Sequence, residues 1–344
     1  MQHRFRKTAK ITLILVYLVI IAGAVVRMTG SGMGCPDWPK CFGYLIPPTE
    51  EAELLWTANK EFKRGQVIIV DETLKIAARD FSTSSTYQPE NWNTYQKHDY
   101  AVFNVWHTWI EYINRLFGAL AGLATLVLAF FSLRYWKKQK AITLLSVLIV
   151  LGMGFQAWLG ATVVYSVLAP AKITIHMLMA LVLVLMLIYV IYATKEKSVT
   201  QSADSFTKNL VLFSIILTLI QVALGTQVRQ FIDEQVDTLG ALNKGAWLQA
   251  PTLVFYVHRS LSILVVVVNS ILVYRIFKKN LGFSKINWVI VLIGIEILSG
   301  VVMYYFDFPF ATQPIHLVIA SLLFGVQSYL LLEVVNANKT LKTL

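Results

Sequence analysis

The sequence has few charged residues, and this shortage limits what the protein can be. Only 14% of its 344 residues are Asp, Glu, Lys or Arg, whereas about a quarter of the residues in a soluble domain are charged. Apolar residues make up 56% of the chain, and the mean hydropathy is +0.61. The composition excludes an ordinary soluble domain and indicates a membrane protein.

Eight apolar runs are long enough to cross a bilayer, which takes about 20 apolar residues. They cover roughly 11–28, 101–133, 141–165, 173–193, 209–228, 253–274, 286–305 and 315–335. Because only helices satisfy their backbone groups segment by segment in hydrocarbon, we predict an all-α polytopic membrane protein. The first run is too long for a signal peptide and lacks an A-x-A-like end, so we expect a retained helix.

Basic residues are concentrated on one side of this eight-helix arrangement. They precede the first run and follow each even-numbered run: Arg4, Arg6, Lys7, Lys10; Arg134, Lys137, Lys138, Lys140; Lys195, Lys197, Lys208; Arg275, Lys278, Lys279, Lys285; Lys339, Lys342. In the short loops on the opposite side, 166–172 and 306–314, Lys172 is the only basic residue. This positive-inside pattern predicts a bacterial-type inner (cell) membrane protein with both termini cytoplasmic. The net charge of +11 therefore reflects topology in the lipid bilayer, and we assign no nucleic-acid partner to it.

Cysteine is also scarce, since Cys35 and Cys41 are the only two in the sequence. Both lie in the single long polar insert, residues 29–100, which the topology places outside. On an oxidising side of the membrane, this pair is either a structural disulfide or a dithiol that cycles. A C-x5-C spacing is not by itself a zinc signature.

The chain repeats itself at a distance of about half its length. GAVVR (23–27) matches GTQVR (225–229), YINRL (112–116) matches YVHRS (256–260), GFQAWLG (154–160) matches GIEILSG (294–300), and AKITIHMLMA (171–180) matches TQPIHLVIAS (312–321). Each half contains four predicted helices, so both halves have the same orientation in the membrane. We expect two parallel four-helix bundles, 1–194 and 195–344, related by a pseudo-twofold axis along the membrane normal, unlike an inverted repeat.

Four histidines lie early in even-numbered helices, namely His107, His176, His258 and His316. Ionisable residues within a membrane span are rare and usually functional. His258 and His316 come from two helices of one bundle and are placed to ligate one haem iron axially. In the first half His176 matches His316, but Asn114 stands where the second half has His258.

Two other groups of residues accompany this pattern. His107 precedes Asn114 by two turns, and Glu111 lies between them on the same helical face. Four arginines follow the duplication: Arg27, Arg115, Arg229 and Arg259. They either extend to lipid headgroups or pair with haem propionates through their two-pronged guanidinium groups.

These motifs together resemble the haem A synthase family. The resemblance rests on VVRMTGSGMGCPDWPKC, E-x-x-N-R, IHMLMA, VHR and PIHL, and it covers nearly the whole chain. It implies an enzyme that oxidises the C8 methyl group of haem O to a formyl group, yielding haem A for cytochrome oxidase. It also implies that His258 and His316 hold a haem b, that the N-terminal half receives haem O, that Glu111 is catalytic, and that Cys35 and Cys41 are the family's outer-loop cysteines.

The sequence departs from the family pattern at one position. The E-x-x-H motif of the family reads Glu111-Tyr112-Ile113-Asn114 here, so one ligand of the substrate haem is missing. Either His107 replaces it, or His176 is the sole protein ligand and the iron keeps an open position, as reactive metal sites often do.

Two other functions are compatible with the same features. A di-haem membrane cytochrome that only transfers electrons explains His258 and His316 but gives Glu111 no role. A transporter is less well supported, because matching Gly/Pro-broken helices are not found in both halves. Conversion of haem O to haem A separates the enzyme from the electron carrier. Further partners expected from the resemblance are haem O synthase and cytochrome oxidase assembly factors.

Overall fold

The computed structural model describes residues 2–195 and 201–337. Within these residues eight helices are long and apolar enough to cross a membrane, which confirms the predicted all-α polytopic fold. They are α1 (Gln2–Met28), α2 (Val105–Ser132), α3 (Lys140–Tyr165), α4 (Pro170–Ala193), α5 (Ser205–Leu239), α6 (Leu253–Lys278), α7 (Lys285–Tyr305) and α8 (Thr312–Asn336). Among the basic residues used to predict topology, Lys197, Lys339 and Lys342 lie outside the described residues.

The helices pack in two groups with the same internal pattern. In the first group α1 contacts α2 and α4, and α3 contacts α2 and α4; α5 to α8 repeat these contacts in the same order. The groups meet where α4 packs on α8, α1 on α8 and α4 on α5. Exchanging α1–α4 with α5–α8 leaves this list unchanged, as a twofold relation requires.

The contact between the two groups is closely packed. Val184 and Leu187 of α4 and Leu330 of α8 are completely buried there. The hydroxyl of Tyr17 in α1 donates a hydrogen bond to the carbonyl oxygen of Ser321 in α8, at 3.2 Å. A Cβ at Gly325 would overlap the Tyr17 hydroxyl, so glycine permits α1 and α8 to approach here.

Helix α5 extends well past the predicted run, 209–228, and ends at Leu239. It begins early because the Asp204 side chain accepts a hydrogen bond from the Thr207 amide at 2.9 Å, as a helix N-cap does. It continues because Arg229 and Asp233 form an ion pair one turn apart, at 2.7 Å. It ends where Gly240 adopts a φ of 86°.

Residues 29–104 form a small ordered unit, called the β-domain below, with strands that the sequence analysis did not predict. The strands are β1 (Glu61–Phe62), β2 (Val67–Val70), β3 (Thr73–Ala77), β4 (Phe81–Ser82) and β5 (Trp92–Thr94). Strands β2, β3 and β5 form one antiparallel sheet, and β1 pairs with β4.

The three-stranded sheet of the β-domain separates two small cores. Successive side chains of a strand point to opposite faces, so Val67 packs with the cysteines and Phe42, whereas Ile68 packs with Phe62 and Trp92. The first of these cores faces α2, and it brings the cysteine-containing segment to the cavity described next.

Candidate functional site

The C-terminal helices enclose a cavity of about 520 Å³ whose lining includes His258, His316 and Glu296. The two imidazole ring centres are 6.4 Å apart, with their planes at 77°. Two imidazoles on opposite sides of one metal ion, each with a metal–nitrogen distance of about 2 Å, put their ring centres about 6 Å apart. The spacing therefore suits a bis-histidine metal site.

Glycines of the neighbouring helices make room for these rings. A Cβ at Gly225 in α5 would lie 3.3 Å from Cε1 of His258, and one at Gly300 in α7 would lie 3.7 Å from Cε1 of His316. Both glycines line the cavity. Each histidine ring is thus placed against a helix backbone.

A larger cavity, of about 1290 Å³, is lined by the N-terminal helices and the β-domain, together with α5 and residues 308–313, and its lining includes Glu111, Asn114 and His176. Here Gly160 faces His176, because a Cβ added at Gly160 would lie 3.4 Å from Cε1 of His176. Gly23 faces Asn114 in the same way, since a Cβ added there would lie 3.9 Å from Oδ1 of Asn114. Asn114 therefore takes the structural place of His258, as the sequence repeat predicts.

His107 lies away from this cavity. It is in the first turn of α2, where its amide donates to the Oδ1 of the N-cap residue Asn104 at 3.1 Å. His107 precedes Asn114 by seven residues, which correspond to about 10 Å along the helix axis. Within the described chain, His107 is outside the lining of both cavities. The geometry gives no support to His107 as a replacement ligand.

Glu111 and Arg115 join α2 to the β-domain. Oε1 of Glu111 accepts from Arg115 at 2.6 Å, and its Oε2 accepts from the Cys35 amide at 2.8 Å. Arg115 also donates to the carbonyl oxygens of Cys35, Asp37 and Lys40, at 2.6–2.9 Å. These bonds engage the Arg115 guanidinium with protein acceptors and hold the cysteine-containing segment, while Arg115 also lines the N-terminal cavity.

Cys35 and Cys41 form a disulfide bond. Both residues are almost completely buried, at 0% and 1% exposure. The structure shows the oxidised form of the pair, which a structural disulfide and a cycling dithiol have in common.

Two of the predicted arginines meet between the cavities. Arg27 of α1 and Arg229 of α5 line both cavities, and they share the carboxylate of Asp233, at 3.0 Å and 2.7 Å. One carboxylate faces two guanidinium groups there, and the Nη1 of Arg229 is buried without a hydrogen-bond partner among the described residues. The fourth arginine, Arg259, lines the C-terminal cavity and lies over the Tyr304 ring at 4.9 Å.

Buried polar atoms without partners provide a test of whether the cavities suit a bound haem. Among the described residues, such atoms are Asn114 Oδ1, Gln156 Oε1 and His176 Nδ1 in the N-terminal lining, and Gln221 Oε1, His258 Nδ1 and Glu296 Oε1 in the C-terminal lining. Two more, Arg229 Nη1 and Gln313 Oε1, belong to residues that line both cavities. Native proteins rarely leave buried polar groups unpaired. Histidine nitrogens among apolar walls and nearby guanidinium groups fit an iron porphyrin that bears carboxylates.

Sequence reasoning missed several of these residues. Gln156, Gln221, Asp233, Glu296 and Ser299 were not singled out, although each contacts a predicted site residue. A signal was present for one pair, because the match of GFQAWLG to GIEILSG aligns Gln156 with Glu296.

The chain is similar to known proteins over nearly its whole length. A family model described as COX15-CtaA, cytochrome oxidase assembly protein, matches residues 6–83 and 82–328. A heme A synthase of Ehrlichia canis is 25% identical over 345 residues, covering 92% of this chain and 89% of that protein. One of Flavobacterium psychrophilum is 23% identical over 352 residues, covering 92% and 94%.

A third relative is matched over a shorter stretch. The heme A synthase of Shewanella oneidensis is 28% identical over 219 residues, which are 63% of this chain and 54% of that protein. The chain thus spans about half the length of this relative and about nine-tenths of the other two. Because the family match covers most of the chain, this protein belongs to the COX15-CtaA family of cytochrome oxidase assembly proteins.

Proposed function

We propose that this protein is a haem A synthase, which oxidises the C8 methyl group of haem O to a formyl group for cytochrome oxidase assembly. The observation that carries the proposal is the asymmetry of two repeat-related cavities. The C-terminal cavity has two histidines 6.4 Å apart, whereas the N-terminal cavity pairs His176 with Asn114. His258 and His316 would hold a resident haem b in the one cavity, and the other would receive the substrate.

His258 and His316 would hold haem b in the C-terminal cavity, and His176 would be the protein ligand of haem O in the N-terminal cavity. The amide of Asn114 is not a strong iron ligand, so this arrangement leaves one coordination position open. The bound haem supplies the redox chemistry, and the protein orients it and controls protons and water.

Glu111 is the residue we assign to proton handling beside the substrate. It is 4% exposed and lines the N-terminal cavity. Each carboxylate oxygen accepts one hydrogen bond from the protein, and a carboxylate has about four acceptor sites. Capacity therefore remains for Glu111 to accept a further hydrogen bond, or a proton, from water in the cavity.

Arg27, Arg229 and Arg259 are the arginines we assign to the haem propionates. Asp233 neutralises only part of the combined charge of Arg27 and Arg229. Arg259 lies over the Tyr304 ring at the wall of the C-terminal cavity. Guanidinium groups bind carboxylates with two parallel hydrogen bonds. Loss of haem from an Arg27→Ala variant would support this assignment, and full retention would contradict it.

The proposed setting is a bacterial cell membrane, with both termini in the cytoplasm and the β-domain outside. The distribution of basic residues supports this orientation. Haem O synthase and cytochrome oxidase assembly factors are the proposed partners, since they would supply the substrate and use the product.

The decisive experiment is chromatography and mass determination of haem extracted from the purified protein after expression with a source of haem O. Haem A or its hydroxylated precursor in the wild type, lost in Glu111→Gln, is the expected result. Glutamine keeps the shape of the side chain, and protease resistance of the β-domain checks that the segment held by Glu111 stays in place. Haem b alone, with haem O unchanged, would instead indicate an electron-transfer cytochrome.

A further inference from the structure

Glu296 is a carboxyl group in the middle of a membrane-spanning helix. It is the only acidic residue of α7, and it lines the C-terminal cavity. Its side chain is 17% exposed. An acidic residue at such a place is costly in hydrocarbon and is usually retained for a function, with an identifiable partner.

The partner of Glu296 is His316. Nδ1 of His316 lies 3.1 Å from Oε2 of Glu296 and 2.8 Å from Oγ of Ser299. The Ser299 hydroxyl donates to the backbone carbonyl of Glu296 at 3.0 Å, so its oxygen is left to accept. With two acceptors at Nδ1, the arrangement favours the tautomer in which one Nδ1–H is shared between them, and this tautomer leaves the lone pair of Nε2 for a metal.

The N-terminal half lacks this arrangement. At the repeat-related positions the N-terminal half has Gln156 in place of Glu296 and Leu159 in place of Ser299. The Gln156 side chain donates to the carbonyl oxygen of His176 at 3.0 Å, and Nδ1 of His176 has no hydrogen-bond partner among the described residues. Among the described residues, hydrogen-bond acceptors at the Nδ1 of the cavity histidine, namely Glu296 and Ser299, are thus found in the C-terminal cavity and not at His176.

We propose that Glu296 is a positioning residue that makes His316 an electron-rich axial ligand and thereby lowers the reduction potential of the C-terminal haem. A carboxylate that accepts from the outer nitrogen of a ligating histidine raises the basicity of that ligand. A more basic ligand stabilises the oxidised iron more than the reduced iron, and hydrogen bonding around the ligands is an established control of haem potential. The inference rests on the proposed function, because it takes His316 as an iron ligand.

The test is an equilibrium redox titration of the purified full-length protein, followed through the absorption bands of the C-terminal haem. Glu296→Gln keeps an acceptor oxygen but removes the charge, and we expect the reduced-to-oxidised ratio at fixed potential to rise about tenfold, which is 59 mV for one electron. Glu296→Asp keeps the charge and should restore most of the lower potential. A role confined to packing would not distinguish the two variants in this way.

Ser299→Ala is the matched control, because it removes the other acceptor of His316 without changing charge. We expect a smaller shift from it than from Glu296→Gln. Equal potentials in the wild type and Glu296→Gln, with haem retained in both, would overturn the proposal. If Glu296→Gln loses haem, the comparison is made between Glu296→Asp and Ser299→Ala. The proposal is then overturned if the potential of Glu296→Asp is no closer to the wild-type value than the potential of Ser299→Ala. Haem A formation by the wild type is measured separately, so failure of this inference is distinct from failure of the proposed function.

Discussion

At the scale of single residues, one substitution within the repeat distinguishes the two cavities. Asn114 faces Gly23 as His258 faces Gly225, so the backbone of the N-terminal site still accommodates a ring at this position. The side chain differs, because the proposed imidazole ligand of the C-terminal site is replaced by an amide, which is not a strong iron ligand. At this position the difference between the two sites is therefore one of side-chain identity.

Asn114→His should convert the N-terminal site into a second bis-histidine site. In the wild type, the iron of a haem bound there would keep one coordination position open and be high-spin. We expect this iron to become six-coordinate and low-spin in Asn114→His, because the new imidazole would provide a second protein ligand beside His176. Optical spectra of the protein loaded with haem O measure this change. An unchanged spectrum, with haem O still bound, would show that position 114 does not face the iron.

His107→Ala is the control for this experiment. His107 is outside the lining of both cavities within the described chain, so we expect its removal to leave the spectrum of either haem unaltered. A change of spin state in His107→Ala would show instead that this histidine reaches the iron when haem is bound.

At the scale of elements, the contact between the cysteine-containing segment and α2 shapes the N-terminal cavity. Arg115 binds three backbone carbonyls of this segment, and Gly34 packs directly on the backbone of His107. The Thr108 hydroxyl adds a bond to the carbonyl oxygen of Gly34 at 2.7 Å. Helix α2 thus provides both a cavity wall and the attachment of the β-domain.

Gly34→Ala should loosen this attachment, because its Cβ would overlap the His107 carbonyl group and neither backbone can move easily. We expect a destabilisation of about 1–3 kcal/mol, typical of overpacking, and faster proteolysis within residues 29–104. Gly294→Ala is the matched control, since a Cβ there meets no atom within 4 Å. Equal proteolysis of the two variants would contradict the close contact.

At the scale of the whole molecule, the two helix groups are joined by an apolar contact and by one shared ion pair. Leu187 and Leu330 are buried in the contact, and Asp233 binds an arginine from each group. Both arginines line both cavities. The two cavities are therefore adjacent.

The proposed orientation is tested by labelling single cysteines with a membrane-impermeant thiol reagent. Lys137 and Ser85 are both exposed, and the native cysteines are paired with each other. We expect Ser85→Cys to react in intact cells, and Lys137→Cys to react only after the membrane is opened, since basic loops stay in the cytoplasm. The reverse result would invert the topology.

The sequence by itself determined the membrane class, the helices and the internal repeat. These follow from local properties, namely apolar run length and the order of short motifs, which need no knowledge of packing. It also identified Asn114 as the position where the halves differ. It did not predict the strands of the β-domain, because these are short and some are held by pairing between residues far apart in the chain, such as Phe62 and Phe81.

Only the tertiary structure decided which polar groups meet. It placed Arg115 on the carbonyls of the cysteine segment, put His107 outside the cavity lining, and brought Glu296 to Nδ1 of His316. These outcomes depend on the direction in which each helix faces its neighbours, and several arrangements share the same apolar periodicity. Residue type and spacing showed where chemistry is possible, whereas packing fixed which partner each group has.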